Sequence, residues 1–175
     1  MGLSAVTTWF ACTDPIADVW EGPWQILEST IATPECDGPT EGLDLGVDHL
    51  KMAFGSRDPW LVQVNLCDGP DDCENGTAWR VVALDALSED AGSGTYMLVS
   101  FSPSTGGGAG FCDLERTIST WTLDGDHAVF AFDTRSDVGG TAASAADCEA
   151  AGAGLLDNPP EDCTSRMVIE ARLAP

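Results

Sequence analysis

Hydrophobic and polar residues alternate along most of the chain, the pattern of β-strands with one buried face. In the stretch 49–54, for example, Leu50, Met52 and Phe54 share one face. Strands are predicted on this basis, or on high β-propensity, at 23–33, 49–54, 60–66, 79–87, 95–102, 111–123, 127–134 and 166–173. The pattern therefore predicts a mainly β protein with about eight mostly antiparallel strands.

Short turns join most of these strands. The dipeptide Asp124-Gly125 favours a tight hairpin, because both of its turn positions accept positive φ. A chain of strands joined in this way is typical of an up-and-down barrel or of a two-sheet β-sandwich. The barrel is the favoured architecture and the sandwich is the alternative.

The chain of 175 residues is long enough for one domain with a sizeable core. Residues 1–12 are a signal-like segment or an N-terminal strand, and 13–21 are a linker. A single β-domain is expected over 22–175, with a long loop rich in Gly, Ala and Asp at 136–164, in which one helical turn or more is considered near Ala142–Ala151.

The charge is strongly negative, with 29 acids, 7 bases and a net charge of -22. Such a chain repels phosphate backbones and anionic lipid surfaces, so nucleic-acid binding is excluded as a function class. An acidic, solvated surface also keeps a protein soluble, which accounts for most of these carboxylates without a binding role.

Seven cysteines are the most informative feature of the composition. Their spacing lacks the short chelating pairs of zinc sites, so disulfides in an oxidising compartment explain them better. Six candidates for three bridges are Cys36, Cys67, Cys73, Cys112, Cys148 and Cys163. Many pairings are open; loop positions favour Cys67 with Cys73, Cys148 with Cys163, and hence Cys36 with Cys112.

The seventh cysteine, Cys12, follows an uncharged, moderately apolar stretch that ends in Trp9-Phe10-Ala11. This context resembles the lipobox of bacterial lipoproteins, which implies that Cys12 carries a lipid and that the protein is exported to the periplasm, outer membrane or cell surface. A lipid would be its only membrane attachment, because no apolar stretch is long enough to span a bilayer. The alternative is an N-terminal strand with a free or intermolecular Cys12.

Gly22 and Trp24 at the head of the first strand resemble the G-x-W signature of lipocalins. Arg172 lies in the last strand, where lipocalin-like barrels often place an arginine over that tryptophan. The resemblance implies a barrel that can hold a small apolar molecule.

No catalytic residues are identified. The only histidines, His49 and His127, have no nucleophile motif near them, and a role other than catalysis is favoured. The acidic loop after Cys67 offers hard oxygen ligands that suit calcium, at Asp68, Asp71, Asp72 and Glu74; no other cofactor is indicated.

Four tryptophans in predicted strands could line a ligand site or pack in the core: Trp24, Trp60, Trp79 and Trp121. We therefore expect an exported binding or envelope-structural module, with a small apolar molecule, a carbohydrate or an envelope protein as partner. The alternatives are a β-sandwich that binds carbohydrate or protein with structural calcium, and a subunit of an extracellular assembly that uses its N-terminal strand.

Overall fold

The computed structural model of the chain describes residues 14–57, 59–103, 109–157 and 162–174. Its helices are α1 (Pro15–Trp20), a 3-10 helix (Pro70–Asn75) and α2 (Ala145–Asp157). Its strands are β1 (Pro23–Ala32), β2 (Thr40–Gly42), β3 (His49–Arg57), β4 (Trp60–Cys67), β5 (Thr77–Leu84), β6 (Ala86–Leu87), β7 (Ala91–Ser102), β8 (Gly110–Asp124), β9 (His127–Ala142) and β10 (Ser165–Leu173).

All strand pairs are antiparallel and belong to one sheet, in the order β5-β4-β3-β1-β10-β9-β8-β7-β6, with β2 paired to β1. Strands adjacent in the sheet mostly follow one another in the chain, except that β1 pairs with β10 and so joins the two ends of the domain. The prediction of a mainly β, antiparallel, disulfide-stapled fold is confirmed. The sheet does not close into a barrel, and the arrangement is consistent with the two-sheet alternative.

The two ends of the sheet nevertheless approach each other where β5 meets β7. The backbone N–H of Asp85 donates to the carbonyl of Ser93 at 2.8 Å, and the Thr95 N–H donates to the Asp85 carboxylate at 3.2 Å. Gly94 is required there, because a Cβ on it would lie 2.3 Å from the carbonyl oxygen of Ala83.

One face of the curled sheet encloses the main core. The fully buried rings of Trp20, Trp24, Trp121 and Phe130 pack with centroid separations between 5.4 and 6.3 Å. Aliphatic side chains from five strands complete this core: Leu50, Met52, Val62, Val64, Val82, Leu84, Ala128, Ile169 and Ala171. The alternation seen in the sequence places these residues on one side of their strands.

Helix α1 contributes Trp20 to this core and lies in the segment 13–21 that the sequence indicates as a linker. Asp14 caps its first turn by accepting the Ile16 N–H at 2.9 Å, and it forms an ion pair with Arg57. The Trp20 indole N–H donates to the Ser88 carbonyl at 2.8 Å. Six residues are too few to show a helical period, so the helix is not evident in the sequence.

The segment 136–164, expected to be a long loop, also contains regular structure. Strand β9 continues to Ala142 and is followed by α2. A second small core of Cys112, Leu114, Ala142 and Cys148 lies between α2 and the extended β7-β8-β9 region. The Gly- and Ala-rich composition suggests a loop, but small residues also allow close packing of a helix on a sheet: a Cβ on Gly152 would lie 2.5 Å from Val99.

Three disulfides join Cys36 to Cys163, Cys67 to Cys73 and Cys112 to Cys148, with Cα atoms 5.5, 5.0 and 5.5 Å apart. The six predicted cysteines and the Cys67–Cys73 pair are confirmed. The pairs Cys148–Cys163 and Cys36–Cys112 are wrong. Cys112 and Cys148 meet because α2 packs on β8, and the segment before β10 carries Cys163 to the end of β1.

Replacing Trp20 by Ala is expected to lower the free energy of unfolding by about 3–5 kcal/mol, because it leaves a large cavity in the core. Urea denaturation followed by far-UV circular dichroism measures the change. The control is Asp18→Asn in the same helix, whose exposed side chain predicts a loss below about 1 kcal/mol. Equal losses in the two variants would contradict the buried position of Trp20.

Candidate functional site

The four candidate tryptophans occupy three different environments. Trp24 and Trp121 are fully buried in the main core. Trp60 is half-buried between the ring of Phe54 and the guanidinium of Arg57. Trp79 is half-buried and packs edge-on against Phe132, with ring centroids 5.8 Å apart.

Arg80 follows Trp79 in β5 and is not among the residues predicted from the sequence. The guanidinium carbon of Arg80 lies 5.2 Å from the ring centroid of Trp79 and 5.3 Å from that of Phe132. This is cation–π geometry, with the charge over two aromatic faces. The Nη1 atom of Arg80 is shielded from solvent and has no hydrogen-bond partner among the described residues.

Three polar side chains of β8 share the inward face of the sheet near Arg80. Glu115 lies close enough for its charge to act on Arg80, and it accepts a hydrogen bond from the Thr117 hydroxyl at 3.2 Å. Ser119 lies opposite Phe132 in the β8–β9 register; its hydroxyl is fully buried and has no partner among the described residues. We call this group the Arg80 site; its members are Trp79, Arg80, Glu115, Thr117, Ser119 and Phe132.

Burial lowers the pKa of Arg80 below its ordinary value, and the negative charge of Glu115 partly offsets this effect. An arginine remains protonated even so. No carboxylate of the described residues lies within ion-pair distance, 4.0 Å, of this guanidinium. The site therefore presents a partly desolvated cation with an unused donor, an arrangement suited to a carboxylate or another small anion.

One sequence signal could have pointed to Arg80. In β5, residues 80, 82 and 84 share a face, and Val82 and Leu84 are buried in the core. A lone arginine in register with buried aliphatic residues is unusual, because arginine is rarely buried without a partner. The contact of Arg80 with Phe132 depends on the order of distant strands in the sheet, which the alternation of hydrophobic and polar residues does not predict.

The predicted calcium ligands lie in the loop that includes the 3-10 helix. Asp68, Asp71 and Asp72 are exposed, and the side chain of Glu74 is outside the described part. Among described side chains, the group of potential metal ligands that comes together lies elsewhere, at Cys36, Asp133 and Cys163. There the two sulfurs are bonded to each other and Asp133 accepts two hydrogen bonds from Arg166. Calcium in the loop stays a prediction.

Trp24 and Arg172 belong to the lipocalin resemblance, and Cys12 belongs to the lipobox resemblance. Trp24 packs against Trp20 and Phe130, and Arg172 forms an exposed ion pair with Asp126 at 3.4 Å. Cys12 lies outside the described residues.

The disulfides indicate a non-reducing environment and hence export from the cytosol. No helix in the described ranges has the length and apolar character needed to cross a membrane. Comparisons with family models, curated proteins and solved structures give no match to this chain.

Replacing Arg80 by Met is expected to leave the free energy of unfolding unchanged or to raise it by about 1–2 kcal/mol. The reason is that a partly buried charge without an ion-pair partner among the described residues costs desolvation energy that an apolar side chain does not. Thermal denaturation gives the comparison, with Arg172→Met as the control at an exposed arginine, where a change below about 0.5 kcal/mol is expected. A large loss of unfolding free energy in Arg80→Met, without a similar loss in Arg172→Met, would instead show that the charge of Arg80 stabilises the fold.

Proposed function

We propose that the protein is an exported binding module that takes a small ligand with an apolar body and one anionic group at the Arg80 site. The observation that carries the proposal is the partly desolvated guanidinium of Arg80, which has a solvent-shielded N–H without a partner among the described residues. Natural proteins seldom leave such a group unpaired unless it has a role.

The apolar body of the ligand would lie against the half-buried side chains next to Arg80. Trp79 covers one side, and Met167 pairs with Phe132 across β9 and β10. Aromatic rings and a flexible thioether adapt to apolar groups of varied shape. The rest of the enclosed face is filled by the main core, so the ligand would be bound at its edge.

The anionic group would accept from the free N–H of Arg80. The overall charge of -22 disfavours anions at long range, but salt screens that field beyond about 8–10 Å. At contact distance the attraction of an anion to a partly desolvated guanidinium is stronger than the repulsion from the overall negative charge. Glu115 is engaged by Thr117 and lies on the same face, which favours a ligand with one negative charge over a more highly charged one.

The aromatic geometry bears on the carbohydrate-binding alternative. Sugar stacking uses a ring that presents an open face, whereas Trp60 and Trp79 are half-buried and each has an arginine over its ring. This arrangement supports a small ligand beside Arg80 more than a surface platform for sugar rings.

Lipidation at Cys12 would place the module at the outer membrane, in the periplasm or at the cell surface. The first described residue, Asp14, is already buried and ion-paired to the domain. Two residues span at most about 7 Å, so a lipid on Cys12 would hold the domain close to the bilayer.

Dodecanoate is expected to bind at least about tenfold more tightly than dodecanol, because only the carboxylate pairs with Arg80. The quenching or shift of tryptophan fluorescence, with both probes below their aggregation concentrations, measures the affinities. Arg80→Met should remove the difference between the probes, and Arg172→Met should preserve it. Equal affinities in the unmodified protein, or no binding of either probe, would overturn the proposed ligand class.

The natural protein, extracted from membranes, is expected to begin at Cys12 and to carry the mass of a diacylglycerol and an acyl chain. Mass spectrometry of the N-terminal peptide tests this, and Cys12→Ser should move the protein to the soluble fraction. An unmodified Cys12 in a chain that still starts at Met1 would exclude the lipid anchor.

A further inference from the structure

Strand β7 has one edge that the sheet leaves largely open. It pairs with β8 along its whole length, but with β6 only at Gly92 and Ser93. From Tyr96 to Ser102 no strand of the described residues pairs with its other edge. These residues span about 23 Å, the length of an ordinary strand.

The direction of the backbone N–H and C=O groups on this edge follows from the hydrogen bonds made by Ser93 and Thr95, which precede it in β7. The Ser93 carbonyl and the Thr95 N–H point away from β8, toward Asp85. Outward groups recur at every second residue, so those of Met97, Val99 and Phe101 also point outward. In the described part of the chain they have no backbone partner.

The composition of β7 is unusual for an open edge. Native edges are normally protected by charges, prolines or bulges that prevent pairing with another chain. Residues 91–102 contain no charged residue and no proline, although the chain has 29 acids and 7 bases. The β7–β8 register shows no bulge. The edge itself therefore carries no charge, proline or bulge that would block strand addition.

The two faces beside this edge differ. Val99 and Phe101 pack against the small core beneath α2, so one side of an added strand would lie near that helix. On the opposite face Leu98 is 48% exposed. Glu115 lies directly across from Leu98, and Asp113 across from Ser100, so this face is apolar at one position and acidic beside it.

We propose that the β7 edge from Tyr96 to Ser102 binds an extended, basic peptide segment of another protein by strand addition. The backbone of the segment would pair with Met97, Val99 and Phe101, and its side chains would cover Leu98 and approach Asp113. Charge selects this partner over a second copy of the chain, because two copies that each carry a net charge of -22 repel each other. The inference does not depend on a ligand at the Arg80 site.

The probe is an acetylated ten-residue peptide in which Thr and Val alternate with Lys, added to 15N-labelled protein. We expect micromolar binding that weakens at least tenfold as salt rises from 50 to 500 mM. Amide exchange at Met97, Val99 and Phe101 should slow at least tenfold in the complex, because these N–H groups become hydrogen-bonded. Peptides with Glu in place of Lys, or with Pro at the centre, should not bind.

Two variants test the edge itself. Leu98→Lys should abolish binding of the lysine peptide, whereas the uncharged Leu98→Thr should keep the affinity within a few-fold. Met97→Pro should abolish binding by removing an outward N–H, and an unchanged melting temperature would show that this variant folds. If it does not fold, the comparison of Leu98→Lys with Leu98→Thr tests the proposal. The proposal is overturned by absent binding, by equal binding of the glutamate peptide, by protection at other amides, or by protection of these three amides in a dimer of the protein alone.

Discussion

The rings of Trp20, Trp24, Trp121 and Phe130 are buried together and come from helix α1 and from β1, β8 and β9, which lie within one run of four neighbouring strands. Trp121 and Phe130 face each other across β8 and β9, and the curl of the sheet brings the aliphatic side chains of β4 and β5 onto the same core. The approach of β5 to β7 is a consequence of that curl, and it leaves no room for a side chain at Gly94. Helix α1 then covers the core with Trp20, whose indole N–H is satisfied by Ser88.

The same curl explains how an arginine comes to lie over two aromatic rings. Arg80 is on the inward face of β5, and Phe132 is on the inward face of β9, which is far from β5 in strand order. In a flat sheet they would be separated by several strands. Stability alone would favour an apolar residue at position 80. The proposed ligand site rests on this charge.

Much of the fold could be predicted from alternation, because burial on one face repeats with the period of a strand. Strands β3, β4, β8 and β10 lie close to their predicted positions, and the tight turn at Gly125 has the positive φ that the sequence implies. Helix α1 is not predicted because it is short, and α2 is longer than the helical turn expected near Ala142–Ala151, because its small residues also suit a loop.

The candidate site could be predicted only in part. The sequence predicts Trp79 as an aromatic residue in a strand. The ring contact and the lowered pKa of Arg80 depend on the packing of the fold around Phe132 and Glu115, which are distant in sequence. The disulfide pairs failed for a similar reason. Proximity in the chain indicated Cys67 with Cys73, whereas the other two pairs depend on how β1, β8, β10 and α2 are arranged.

The disulfides form a nested set. The bond between Cys36 and Cys163 spans 127 residues, and the other two lie wholly inside that span. A protease that cuts the backbone once, anywhere between Cys36 and Cys163, opens a covalent ring but releases no fragment. The β1–β10 pairing that joins the two ends of the domain would stay tethered beside the break. For a protein outside the cytosol, where proteases are common and resynthesis in place is impossible, this connectivity preserves the molecule through a first cleavage.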